Sequence, residues 1–157
     1  MIVVADASPL IAMARIGRLD LLRSVFGRLL VPGAVWREVV EGGGDKAGAA
    51  DVAAADWIER RAVVDSSLVN LLRHDLGAGE AEAIVLAREA KADFVLMDER
   101  LGRSAAHALG LKVVGVVGVL IEARARGLIT DANEIMDQLH QQAGFWISAE
   151  LRKLVTD

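Results

Sequence analysis

Cysteine is absent from the 157 residues, which excludes disulfides, zinc–thiolate sites and thiol nucleophiles. Tyrosine is absent as well, and aromatics make up only 4% of the chain, so no obvious platform exists for stacking bases. Basic excess is also missing. Eighteen Lys and Arg stand against 22 Asp and Glu, a net charge of −4, which is not the mark of a strongly basic nucleic-acid binder. Acids gathered around a metal would inflate that negative count, so nucleic acid is not excluded as a partner. No apolar run reaches ~20 residues without a charge, so no membrane span is expected. The start, Met1-Ile2-Val3-Val4-Ala5-Asp6, lacks the basic region and long apolar stretch of a signal peptide, and a cytoplasmic protein is expected.

What is present points to a packed globular chain. Hydrophobic residues reach 54%, above the usual ~45–50%, and much of that is Ala and Val. The length suits one domain over residues 1–157, large enough to bury roughly two thirds of its unfolded surface. Fourteen of the 18 basic residues are Arg, whose planar fork suits phosphate.

Strand and helix patterns alternate along the chain. Residues 2–5 read as a short buried strand, and Ser8-Pro9 as the cap and first position of a helix ending near Gly17. A second helix is expected over 19–26 and a strand over 29–31, and Pro32 opens a helix carrying Val35, Trp36, Val39 and Val40. Gly42-Gly43-Gly44-Asp45-Lys46 is the clearest breaker, expected as a loop at the mouth of a site. A helix over 47–61 anchored by Trp57 and Ile58, a strand at 62–64 and a helical turn at 67–73 follow. The pattern continues with a helix over 80–91, a strand at 94–97, a helix over 99–109 and a strand at 112–114. A helix over 117–126 follows, then two last helices capped by Thr130 and Ser148. Strands separated by helices imply an α/β fold with a short parallel sheet in three layers.

Four acids stand where such a fold would bring them together: Asp6, Glu38, Glu80 and Asp98. Asp6 and Asp98 each end an apolar run, so both emerge at the carboxyl edge of the sheet, where ligands bind in open α/β folds. On its helix Glu80 lies among Ala83, Ile84 and Ala87, whereas Glu82 is expected to face water. A carboxylate on a buried stripe needs a partner; the plain alternative is an acid favoured by the helix dipole. The plain alternative for Asp6 is a helix cap, but Ser8 is well placed for that task and frees Asp6. Asp98 and Glu99 divide in the same way, one capping and the other free. Glu38 lies about 130° from the apolar face of its helix, the place of a solvated acid. An all-oxygen cluster suits Mg2+ or Mn2+ rather than zinc.

The chain resembles the PIN-domain nucleases, especially the small ones similar to toxin ribonucleases of toxin–antitoxin modules. The resemblance runs through Val4-Ala5-Asp6-Ala7-Ser8, Val31-Pro32-Gly33-Ala34-Val35-Trp36-Arg37-Glu38, Leu76-Gly77-Ala78-Gly79-Glu80 and Leu96-Met97-Asp98-Glu99-Arg100 with Arg103, then Gly110 through Gly115. It implies a Rossmann-like α/β/α fold and a Mg2+- or Mn2+-dependent endoribonuclease with Asp6, Glu38, Glu80 and Asp98 as its acids. Of these, Asp6, Glu80 and Asp98 would hold metal. Ser8 would be a hydroxyl near Asp6, Glu99 a neighbouring acid, and Arg103 a residue at the rim of the site. The implied partner is an RNA substrate, and the unusually apolar helices at 10–26 and 34–40 are expected to offer a seam to a second copy of the chain or to an antitoxin protein. One position departs from the family: Val116 stands where a Thr or Ser commonly follows the glycine.

Beside that resemblance, Arg100 and Arg103 lie one helical turn apart and form a candidate phosphate clamp. His74, His107 and His140 show no ligand spacing, and Trp36, Trp57 and Trp146 suit core or interface anchors. A haloacid-dehalogenase-like phosphohydrolase would need an acid where Ser8 stands. A PIN fold kept as a weak or inactive binding module is the remaining alternative.

Overall fold

Runs that are apolar at every position can form strands only where both faces of a sheet are covered. Val3–Ala5 (β1) and Phe94–Leu96 (β4) are such runs, and they pair in parallel at the centre of a five-stranded sheet. The computed structural model describes residues 1–43 and 48–157. Leu29–Val31 (β2), Ile58–Arg60 (β3) and Val113–Val114 (β5) complete the sheet, in the order β3-β2-β1-β4-β5, all parallel.

The period-2 alternation of each strand divides the core into two layers. Val3, Ala5, Leu29, Val31 and Leu96 join one apolar cluster, which also holds Leu10 and Met13 of α1 (Ala7–Arg15) and Leu22 of α2 (Leu19–Phe26). The helices α8 (Val116–Ala125), α9 (Ala132–Ala143) and α10 (Ala149–Thr156) complete that layer through Leu120, Met136 and Val155. Val4, Val95 and Met97 face the other way, onto Ile84 and Ala87 of α6 (Ala78–Glu89) and Ala106 of α7 (Arg100–Ala108). This is the three-layer α/β/α arrangement expected from the sequence. Between these elements lie α3 (Gly33–Trp36), α4 (Ala49–Ala54) and α5 (Ser66–Leu72).

Several local expectations are corrected. Helix α1 starts at Ala7, so Asp6 rather than Ser8 occupies the cap position, and Ser8 lies exposed in the first turn. The helix expected over 47–61 ends at Ala54, and the strand expected at 62–64 forms earlier, at Ile58–Arg60. Ile-Glu-Arg carries little strand signal of its own; pairing of Leu29 with Ile58 and Val31 with Arg60 supplies it. The last but one helix is capped by Asp131, whose carboxylate accepts the Glu134 N–H at 3.3 Å, and not by Thr130. Ser148 does cap α10, accepting the Leu151 N–H at 3.1 Å. Part of the glycine-rich loop, residues 44–47, lies outside the described residues.

Candidate metal and nuclease site

The register of β1 and β4 decides which acids can meet. Ala5 pairs with Leu96, and the Asp6 N–H donates to the Leu96 carbonyl at 2.9 Å, so Asp6 and Asp98 leave neighbouring strands at the same carboxyl edge. Their immediate partners differ. Alternation sends Asp6 with Val4 toward α6, and sends Asp98 with Leu96 toward α8.

On the α6 side, Asp6 is 3% exposed although it is charged by default. Its oxygen comes 3.6 Å from the point where a side chain on Gly79 would begin, so the first turn of α6 lies directly against the carboxylate. Burial pushes the Asp6 carboxyl up to about 7, and the nearby charges of Glu80, Glu38 and Glu99 add to that; the adjacent Ala7 N–H pulls it back without forming a sound cap bond. Glu80, at the third position of α6, folds one oxygen back toward the Gly77 N–H at 3.4 Å. Its other oxygen, Oε2, is buried with no hydrogen-bond partner among the described residues. Burial raises the Glu80 carboxyl as well, with Glu99 and Glu38 contributing. Helix α7 closes over this oxygen at Gly102, where a Cβ would lie 2.9 Å from Glu80 Oε2 and 2.6 Å from Met97 Sδ.

On the α8 side, Asp98 accepts the Val116 N–H at 3.1 and 3.3 Å, at the start of α8. Burial raises its carboxyl, while the Val116 N–H and the charge of Arg103 draw it back. Arg103 is half-buried and donates to the Met97 carbonyl at 2.9 Å, so much of its fork is engaged within the protein. Both groups crowd Gly115: a Cβ there would strike Asp98 Oδ1 and lie 2.9 Å from Arg103. The Val116 side chain is fully buried in the apolar cluster and only its backbone serves the acid.

Glu38 and Glu99 are exposed at the rim. The helix bearing Glu38 widens after α3 into a π turn over Arg37–Glu41, with the Gly42 N–H donating to the Arg37 carbonyl at 2.6 Å. Such turns shift the phase of a helical face and recur at functional sites. A cavity of about 280 Å³ between Ile11, Arg15 and Val39 has Glu38 on its wall. Arg100 is exposed at the start of α7.

The structure thus groups Asp6 and Glu80, with Glu38 and Glu99 near enough to repel them, and sets Asp98 against the start of α8 and Arg103. Among the described residues no three His, Asp or Glu side chains converge closely enough to hold an ion. Glu82 does not face water. Its carboxylate accepts the Ala34 N–H at 3.0 Å and lies 3.9 Å from Arg37, tying the start of α3 to α6. One signal pointed to Gly102: a glycine inside a helix weakens it and asks for a packing reason. Glu82 carried no such signal, because its partner lies 48 residues away.

Comparison with known proteins places this geometry in context. A solved structure with a similar fold is a PilT N-terminus domain protein from the hyperthermophilic archaeon Sulfolobus solfataricus P2. It is 16% identical, with a TM-score of 0.51, over 90% of this chain and 95% of that one. No curated protein matches the chain. A protein-family match, DUF3368, described as a PIN domain, spans residues 2–157. The chain therefore belongs to the PIN-domain family, whose members are generally nucleases.

Proposed function

We propose that the protein is an endoribonuclease that depends on a divalent cation, Mg2+ or Mn2+, held at Asp6 and Glu80. The observation that carries this reading is the Glu80 oxygen buried without a partner beside a buried Asp6. Two acids in this state repel one another, and among the described residues no basic one is among the charges that act on either. A hard cation with oxygen preference fits that donor set, and the lack of cysteine and of nearby histidine disfavours zinc. Glu38 and Glu99 would supply further oxygens from the rim, and Asp98 a contact from the α8 side. When bound, the ion supplies neutralising charge for the phosphodiester and a water of lowered pKa.

The chain's own residues do the rest. Gly79 and Gly102 leave the space in which the two carboxylates sit, and Glu82 and Arg103 hold α3 and the segment before α7 in register. Met97 and Val35 wall the carboxylates from the core side, which strengthens any charge interaction made there.

The test is a titration of the purified protein with Mn2+. The thermal midpoint of the wild type should rise and that of Asp6→Asn should stay put. Single-stranded RNA should be cut with Mg2+ or Mn2+ and left whole after chelation. The narrower form of the reading, a toxin of a toxin–antitoxin pair, requires that expression arrest growth and that Asp6→Asn abolish the arrest.

A second reading, a PIN fold kept for binding, has one observation in its favour: Asp98 already accepts the Val116 N–H and lies within the charge of Arg103, so the protein itself partly occupies it. An unchanged midpoint at millimolar Mn2+ would select it.

A further inference from the structure

The sequence singles out Arg100 and Arg103 as phosphate ligands, yet Arg103 is turned inward to Met97 and Asp98. A different pair is turned outward. Arg37 Nη1 lies 3.1 Å, and Arg60 Nη2 3.9 Å, from the point where a Cβ on Gly33 would stand. Two guanidinium groups, both permanently charged, therefore converge over one bare Cα. Neither is well neutralised. Arg37 is 3.9 Å from Glu82, at the limit of an ion pair, and among the described residues Arg60 forms none. Like charges brought together in this way favour binding of an anion between them.

Their position gives the anion an identity. Val4 pairs with Leu30 and Val31 with Arg60, so β2 leaves the edge beside β1, and β3 lies one strand further. The strand that leads into Gly33 thus lies one strand spacing, about 4.8 Å, from the strand that leads into Asp6, and the strand bearing Arg60 lies about two spacings from it. We infer that Arg37 and Arg60 bind a backbone phosphate of the RNA, on a nucleotide neighbouring the bond cut beside Asp6 and Glu80. The inference rests on the nuclease reading for its ligand. Gly33 is part of the site because a side chain there would displace the Arg37 fork.

The experiment measures binding of a short labelled single-stranded RNA in excess EDTA, which keeps it intact, across a series of KCl concentrations. Arg60→Gln and Arg37→Gln should each weaken binding about five- to tenfold and lower the slope of log affinity against log salt, and the two together should lower it by roughly 0.7, the value for one phosphate contact on a single strand. Arg60→Lys, which keeps the charge and loses the fork, should restore the slope and only part of the affinity. With Mn2+ present, KM for cleavage should rise while kcat holds. Arg60 is exposed on an edge strand, so its variants should fold with unchanged midpoints. Unaltered slope and affinity in both glutamine variants would overturn the phosphate site while leaving the nuclease intact. Arginine-dependent binding by a wild type that never cuts RNA with Mn2+ would support the phosphate site and sink the nuclease.

Discussion

Asp6 and Asp98 follow the same kind of apolar strand, on neighbouring strands, at the same edge of the sheet, and they meet opposite surroundings. Asp6 faces α6 and finds another carboxylate, a glycine and, among the described residues, no cation. Asp98 faces α8 and finds a free backbone N–H and a guanidinium. The first acid is costly to the folded chain unless something positive joins it; the second is raised by burial as well, but the Val116 N–H and Arg103 offset part of that cost. An acid at a strand end has no fixed role. The layer it turns toward assigns one, and a step of one residue changes the layer.

The strongest way to break this comparison is to neutralise each acid in turn. Asp6→Asn should lower RNA cleavage on the order of 10²- to 10³-fold, the usual loss when a charge-stabilising group is removed. The same variant should be more stable than the metal-free wild type at pH 8. A carboxyl held at about 7 rather than 3.8 carries, when ionised, an upper-bound penalty on the order of 4 kcal/mol, and each kcal/mol is worth roughly 2–4 °C. Asp98→Ala should do the reverse to stability, losing about 1 kcal/mol by stripping the Val116 N–H of its acceptor. Differential scanning without metal checks both signs. Two variants moving the midpoint in the same direction would erase the distinction.

The pH dependence of the metal-free protein sharpens it. The Asp6 carboxyl is raised in the folded state, so between about 4 and 7 the folded chain holds the proton more tightly than the unfolded one. Stability from this group is therefore present at low pH and lost as pH rises toward 7, with a slope of at most about 1.4 kcal/mol per pH unit. Glu80 and Asp98 are raised as well and act with the same sign. Urea unfolding from pH 5 to 8 should show the decline, and Asp6→Asn should flatten most of it.

The smallest expected effect belongs to Val116→Thr. Its side chain is fully buried among apolar residues, while its N–H already serves Asp98. The added hydroxyl should cost about 1 kcal/mol or somewhat more and leave cleavage unchanged. A gain in activity would mean that the α8 side does reach the reacting phosphate.

Much of the fold was legible because its signals are local. The apolar runs at 3–5 and 94–96, the glycine stop at Gly110, where φ is +77°, and the Ser148 cap are written in a few adjacent residues. The third strand was misplaced because Ile58-Glu59-Arg60 owes its conformation to β2 rather than to its own pattern. The PIN likeness, read from four short motifs, is matched by the family that spans residues 2–157. The π turn at Arg37–Glu41 left no trace in the helical periodicity, although the angles of a regular helix did place Glu38 on the solvated side, where it is exposed.

Local order along the chain determined which residues are acids, that the apolar runs at 3–5 and 94–96 are strands, and that Asp6 and Asp98 leave the sheet at one edge. Only the tertiary structure decided that Asp6 meets Glu80 while Asp98 meets the start of α8, that Glu82 holds α3, and that Arg37 and Arg60 converge over Gly33. The reason is physical: the direction of a side chain follows from its own strand, but its partner comes from a helix dozens of residues away, and only packing brings the two together.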